Sequence, residues 1–558
     1  MKILSEKPFS NLDRVPRIQQ ATEEVFDLIV IGGGITGAGV ALDASLRGLK
    51  TLLVEKNDFA SGTSSKSTKL IHGGLRYLKQ LEFGLVRETG LERSIAHENI
   101  CHLIHPETML LPIVDGGTFN LFSAGLAIQV YDFLADVSSS QKRKKLNKSQ
   151  VLEMEPNLST DGLNSGIAYA EYRTDDARLT IELVKSARRQ GAEAFNHMAV
   201  EDFLYEGGKV NGIVCKDMLS EKTHSFKAKM VVSSTGPWVD KVRLMDQNTA
   251  KQNLHLSKGV HIVVSAEKLP IKHALYFDAF DGRMIFSIPR EGVVYIGTTD
   301  TTFKGKPEDL YCTEEDANYL LKAVNHMFDV PEITLDDIES TWTGLRPLIQ
   351  KPGRSASELS RKDEIFISDT GLISIAGGKL TGFRKMAKRI VDLVLKKLPE
   401  KAFVPCKTKR FNIHADPFDS YHAYKTFAQT LYHESKEQGL TEFQATYLTT
   451  TYGKHAVPII DAAISQEEGA LETRLVKAQL NFCTQYESVY YPSDFFERRT
   501  GWLYFQVHHL RKHLPTIIGE LSHVFTWDAD TQTSMFAKSE QHIQKNMVQK
   551  TIDTITTN

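Results

Sequence analysis

The sequence predicts an α/β protein: a parallel sheet wound with helices, interrupted by an inserted, mainly antiparallel sheet and followed by a helical C-terminal region. Three observations predict it. Residues 26–56 read strand, glycine turn, helix, strand. Apolar runs return to that first sheet far along the chain, at 230–233 and again just before Gly377. Between the two returns lie short alternating runs, and from about Pro399 the pattern becomes helical, rich in His, Tyr and Gln.

The first unit carries the most chemistry. An apolar run at 28–31 breaks into Gly32-Gly33-Gly34, and small residues follow at helical spacing from Ile35 and Thr36 to Leu46. Gly32 permits the tight turn, Gly34 has no Cβ to hold a pyrophosphate off the backbone, and Gly37 lets the helix lie close to the sheet. Phosphates then meet free N–H groups at the positive end of the helix dipole. Glu55, followed by Lys56, ends the second strand, where a carboxylate accepts from both ribose hydroxyls of an adenosine and disfavours a 2′-phosphate. The framed motif points to a dinucleotide.

Composition bounds the rest. A chain of 558 residues implies two to four domains, and 41% hydrophobic with 24% charged residues is ordinary globular material. A formal net charge of −2 gives no electrostatic footprint for nucleic acid. The five cysteines are scattered without a CxxC pair, so no metal centre or disulfide framework is read, and a reducing cytosol is expected. The N-terminus lacks a signal-peptide core and no apolar run reaches the ~18 residues of a membrane span. The protein is expected to be neither exported nor membrane-spanning.

In chain order, residues 1–24, with Pro8 and Pro16, read as a polar arm on the surface. The loop after Glu55 is rich in hydroxyls. Thr63, Ser64, Ser65 and Thr68 suit a phosphate or a ring, with turn capping as the alternative. Lys69, Leu70, His72, Gly73, Gly74, Arg76 and Tyr77 follow, His72 with a structural role as its alternative. Residues 85–102 read as a helix and the next stretch as a strand. An apolar helix at 119–134, followed by Lys142-Arg143-Lys144-Lys145, suits an internal helix with a solvated charged loop or, as the alternative, docking on anionic lipid.

A helix at 175–191 precedes a hairpin around Glu206-Gly207-Gly208-Lys209, and the strand at 230–233 ends in Ser234-Thr235-Gly236. So late a return, with a hairpin before it, favours FAD over NAD. Residues 256–265, 283–289 and 292–300 read as antiparallel strands, with Lys258, His261 and Asp300 at polar positions. Residues 314–328 read as a helix. Arg346, between Gly344 and Pro347, is expected in a rigid turn. Gly377-Gly378-Lys379-Leu380-Thr381 then opens a helix whose amides suit a charge-bearing carbonyl edge. Arg498-Arg499 reads either as a buried cap or as a basic surface. The division is therefore a cofactor domain from 25–105, 175–250 and 345–399, a substrate domain from 106–174 and 251–344, and a helical domain at 400–558.

Six stretches, GGGITGAGVALDASLRG, SSKSTKLIHGGLRYL, IGTTD, GLRPL, GGKLT and ERRT, closely resemble the FAD-dependent glycerol-3-phosphate dehydrogenases. These share a Rossmann-like flavin fold of the glucose-reductase, or D-amino-acid-oxidase, type. The resemblance spans residue 26 to past 499. Thr68, usually Ser, and Gly382-Phe383, frequently Thr-Tyr, depart from the family pattern.

The resemblance implies oxidation of sn-glycerol 3-phosphate to dihydroxyacetone phosphate, a hydride passing from C2 to flavin N5 and electrons to a membrane quinone. It also implies a peripheral protein on the cytoplasmic face of the membrane. Arg76, Arg346 and Lys379 are the cations expected to grip the phosphate, and Tyr77 adds a hydroxyl. Arginine is too weak a base to take the hydroxyl proton, so Arg346 is read as stabilising the developing alkoxide. His72 is the candidate base and His261 the reserve. An O2-reducing oxidase, an amino-acid-oxidase-like enzyme and a non-catalytic flavin scaffold stay open, as does monomer against homodimer.

Overall fold

In the computed structural model, residues 6–72, 83–119, 143–246, 254–349 and 363–549 are described. Gly73, Gly74, Arg76, Tyr77 and most of the 119–145 segment lie outside them.

The first strand, Val25–Ile31, is buried on both faces after its first residue, as a central parallel strand must be. It is flanked in parallel by Thr51–Val54 and by Thr223–Ser233. Ile373–Ala376 and Glu193–Phe195 extend this sheet on either side, again in parallel. The hairpin Met198–Glu206 and Lys209–Asp217 attaches antiparallel to the first half of Thr223–Ser233. That return strand is longer than the expected 230–233 because it serves two partners in turn. Helices Ile35–Leu46, Asp176–Arg189 and Phe383–Lys397 cover one face, and the last presses its Phe383 ring against Gly39 of the first.

The second sheet has ten strands among the described residues and is antiparallel except where Ala274–Asp278 meets Ile104–Val114. Its long members are Ile104–Val114, Leu163–Thr174, Leu254–Ser265 and Ile338–Ile349. Arg346 is not in a turn. It stands within the continuous Ile338–Ile349 strand, opposite Ser257. Pro347 is tolerated because, among the described residues, this strand pairs on one side only, with Leu254–Ser265. The second-sheet unit therefore runs through Ile349, and a boundary at 345 cuts a strand. Lys144 and Lys145 are exposed on a short strand, Lys144–Asn147, rather than in a loop.

From residue 6 the N-terminal segment packs on the fold, with Leu12 and Val15 exposed. Phe9 is buried and exchanges backbone hydrogen bonds with Gln485 and Ser488, while Arg14 of helix Arg14–Glu23 is buried against Asp217. Beyond 400 the chain is helical, as expected. Its core merges with one face of the second sheet: Trp342 packs on Tyr504 and Phe505 at ring separations of 5.3 and 5.8 Å. Among the described residues no helix is long and apolar enough to cross a membrane.

Candidate active site

The two sheets meet around a cavity of about 1130 Å3. This exceeds the ~300–1000 Å3 of common small-molecule pockets and gives room for an extended ligand with a second, smaller one beside it. Gly32, Gly34, Ile35 and Thr36 line it together with Glu55, Lys56, Thr235 and Gly236. Thr63, Ser64, Thr68, Leu70 and His72 line it as well. The second sheet adds His261 and Arg346, and the turn before the third covering helix adds Gly378, Lys379, Leu380 and Thr381.

The glycine turn is built as its composition requires. Gly32 has φ +103°, and a Cβ there would fall 2.7 Å from the Ser234 carbonyl oxygen. A Cβ on Gly34 would crowd the Ser64 hydroxyl, and one on Gly37 would collide with the Gly32 carbonyl. Ser64 Oγ accepts from the Ile35 N–H at 2.9 Å, so the serine loop closes on the helix N-terminus. Glu55 accepts from Gly33 N at one oxygen (2.7 Å) and Asn57 N at the other (2.9 Å). Each carboxylate oxygen keeps a lone-pair direction, enough for a pair of ribose hydroxyls. Burial raises the Glu55 pKa, and the two backbone donors work against that rise. Lys56 lies 4.1 Å over the Trp238 ring, and both side chains hold Glu308 Oε1, at 3.0 and 2.6 Å. This latch was not foreseen.

Three expected cofactor positions, Gly33, Ser65 and Lys69, are not among the residues that line the cavity. Gly33 faces the Phe59 ring, and Ser65 is fully buried with its hydroxyl toward the Gly62 carbonyl. Lys69 has its ammonium buried between Asp176 Oδ1 (2.6 Å) and the Ser65 carbonyl (2.9 Å), and it is not among the residues that line the cavity. Arg498 and Arg499 are a buried cap. Arg499 forks onto Asp58 at 2.6 and 2.9 Å, and Arg498 Nε reaches the same carboxylate at 2.6 Å. Asp58 belongs to the loop leaving Glu55, so the C-terminal domain clamps the cofactor end of the first sheet.

On the second sheet, Arg346 donates from Nη2 to Thr298 Oγ1 (2.9 Å) and from Nη1 to the Thr299 carbonyl (3.2 Å), with Asp300 Oδ1 at 3.6 Å. Its guanidinium occupies the space above Gly259, where a Cβ would fall 2.5–2.7 Å from Nη2, Nη1 and Cζ. Sequence reasoning missed this glycine, although a strand-interior glycine signals close approach. Asp300 also accepts from Ser257 Oγ, and Lys258 pairs with Asp316 at 2.5 Å, so Lys258 is a structural cation. His261 stacks on Trp342 at 4.6 Å, and its Nε2 lies 3.0 Å from Thr68 Oγ1. Burial, then Arg346 and Lys69, hold His261 well below the usual imidazole pKa, hence neutral. His72 meets Phe286 edge-on at 6.2 Å, and the Phe286 ring stacks on Tyr276 at 4.3 Å. Arg346 and Lys379 thus share one cavity with both histidines.

The glycine cradle, the acid with spare acceptor directions and the long cavity fit an adenine dinucleotide. The comparisons agree. The model of the FAD dependent oxidoreductase family matches residues 27–383, and that of the C-terminal domain of alpha-glycerophosphate oxidase matches 406–532. The aerobic glycerol-3-phosphate dehydrogenase of Bacillus subtilis is 46% identical over 93% of this chain and 95% of its own length. That of Staphylococcus haemolyticus is 44% identical over 95% and 96%. The solved glycerol-3-phosphate dehydrogenase of Bacillus halodurans, complexed with FAD, superposes with TM-score 0.82 at 40% identity, covering 96% of this chain and 98% of that one. L-alpha-glycerophosphate oxidase of Mycoplasma pneumoniae, at 18% identity and TM-score 0.53 over 66% and 95%, shares the fold. The chain belongs to the FAD-dependent glycerol-3-phosphate dehydrogenases, with FAD as its cofactor.

Proposed function

We propose that this chain oxidises sn-glycerol 3-phosphate to dihydroxyacetone phosphate and passes the electrons to a membrane quinone. The reading rests on one observation: Arg346 and Lys379 line the same cavity as the dinucleotide cradle. Bound FAD supplies the acceptor for the hydride from substrate C2. Gly32, Gly34, Ser64, Glu55, Thr235 and the Gly378–Thr381 turn would hold it.

The chain's own residues do the rest. Lys379, with Arg76 outside the described residues, offers point and forked charge to the phosphate dianion, and Tyr77 adds a donor. Arg346, held by Thr298 and Thr299, lines the cavity, where it stabilises negative charge growing on the C2 oxygen. As the C2–H bond breaks with its electron pair, the hydroxyl proton goes to His72 and the C2=O bond forms. His261, neutral and buried, is the reserve acceptor and orients Thr68.

A quinone is confined to the bilayer, so the protein must dock there, and the segment around 119–145 is the contact we infer. The deciding experiment is anaerobic titration of the purified holoenzyme with sn-glycerol 3-phosphate, following the visible absorbance of FAD. Bleaching that a soluble quinone analogue then reverses supports the reading, and an unchanged spectrum overturns it. Stoichiometric peroxide in air without added acceptor would assign O2 as the acceptor instead.

A further inference from the structure

The C-terminal helices carry a second constellation, none of whose members lines the cavity. His509 and His513 stand i,i+4 on helix Val507–Phe525 and so share a face. They meet Glu472, which comes from the first turn of helix Leu471–Tyr486. Glu472 Oε1 lies 3.1 Å from His509 Nδ1 and 3.4 Å from His513 Nε2. All three potential ligand atoms fall within 4.8 Å of one another.

Two features separate this arrangement from an ordinary surface ion pair. His513 is only 3% exposed, yet its Nε2 has no hydrogen-bond partner among the described residues. Glu472 Oε1, at 3.4 Å, is within ion-pair range of it without making a hydrogen bond, and a buried ring nitrogen left without one is costly unless something takes its lone pair. Lys512 holds the other oxygen of Glu472, Oε2, at 2.5 Å, leaving Oε1 turned to the two imidazoles. The Trp502 ring meets His509 edge-on at 4.5 Å and fixes that ring from the other side.

We propose that Glu472, His509 and His513 form a binding site for a zinc-class divalent cation that ties helix Leu471–Tyr486 to helix Val507–Phe525. The distances fit the ion. Ligand atoms about 2.1 Å from a tetrahedral Zn2+ lie roughly 3.4 Å apart, close to the two separations measured here. Two imidazoles and one carboxylate select Zn2+ or Co2+ over Mg2+ or Ca2+, which require oxygen ligands. Water completes the fourth position. The pattern escaped sequence reading because the carboxylate lies 37 residues from the nearer histidine.

The test uses the full-length, FAD-loaded protein, stripped of metal with a chelator and titrated with Zn2+ and Co2+. The parent is expected to take one tight equivalent and to show the intense visible bands of tetrahedral Co2+. His509→Gln and Glu472→Gln should each weaken Zn2+ about 10-fold or more, with FAD content unchanged as the control for folding. Lys512→Ala, which keeps every ligand and removes a competing cation, should bind as tightly as the parent or more tightly. Because the chain has 19 histidines and five cysteines, the difference between parent and variants is decisive. Parent-like Zn2+ affinity in both ligand variants, or the absence of tetrahedral Co2+ bands in the parent, overturns the proposal.

Discussion

Gly259→Ala isolates the position of Arg346 from everything else in the fold. The added Cβ falls 2.5 Å from Nη2, 2.6 Å from Nη1 and 2.7 Å from Cζ. Ordinary contact begins near ~3.5 Å, so the guanidinium must retreat by about 1 Å. The obstacle is the tip of a flexible side chain, and the backbone register with Gly344 stays as it is. The hydrogen bonds to Thr298 and Thr299 are lost or stretched, each at about 1 kcal/mol. A 1 Å misplacement of a reacting-centre group costs about 100-fold in rate. The expected phenotype is therefore kcat/KM for glycerol 3-phosphate down about 100-fold in a dye-linked assay, with FAD content intact and Tm lowered by only a few degrees. Gly344→Ala is the contrast. Its Cβ would fall 2.5 Å from the Lys66 backbone oxygen, so strand and loop must move and stability falls first. A Gly259→Ala enzyme within about twofold of the parent would refute the placement of Arg346 at the reacting centre.

Other perturbations probe the remaining elements. Glu55→Ala removes the two acceptors proposed for the ribose hydroxyls, about 1 kcal/mol or more each, and should loosen FAD some 10- to 100-fold in a filtration assay; undiminished retention would contradict the assignment. His72→Asn should slow anaerobic bleaching by substrate at least about 100-fold while leaving the substrate Kd within a few-fold, and an unchanged rate removes His72 as the base. Asp58→Asn leaves Arg498 and Arg499 buried with their shared carboxylate neutralised, so urea unfolding should show a loss of about 3–5 kcal/mol. Burial works to raise the Glu487 carboxyl, but Arg178 and Lys185 outweigh it and bring it down to about 2. A depressed carboxylate contributes stability that is full above its unfolded value near ~4.3 and is lost as pH falls toward 2. The contribution is about 3 kcal/mol, and Glu487→Gln should flatten this acid limb of the urea midpoint against pH.

What was legible in the sequence was local. The strand, glycine turn, helix and acid at 26–55 fold as read because each glycine answers a contact within the same unit or with its return strand. The hairpin, the late return and the helical tail were equally readable from periodicity. What stayed hidden depends on partners distant in sequence. Lys69 sits in a hydroxyl-rich loop and looked like a ligand-binding cation, but its carboxylate is 107 residues away. Arg499 could be read as cap or surface because Asp58 lies 441 residues before it. Arg346 looked like a turn residue because glycine and proline flank it, whereas an edge strand accommodates both.

The buried ion lattice also gives a structural role to a helical domain that, between residues 400 and 549, contributes no residue to the cavity lining. Asp58 follows Glu55 by one short turn, and Phe59 and Ala60 pack on Gly33 of the glycine turn. Arg498 and Arg499 hold Asp58, Glu487 holds Arg178 and Lys185 of the helix behind the sheet, and Tyr504 and Phe505 pack on Trp342, beneath His261. The domain thus braces the loop that follows Glu55 and the strand that carries Arg346. It acts beside direct bonds between that loop and the second sheet: Thr63 Oγ1 to the Leu345 carbonyl at 2.7 Å, Trp342 Nε1 to the Ser67 carbonyl at 3.1 Å and the Tyr295 hydroxyl to the Thr68 carbonyl at 3.2 Å. Because Asp58 lies between Glu55 and those loop residues, Asp58→Asn should loosen FAD as well as ease unfolding.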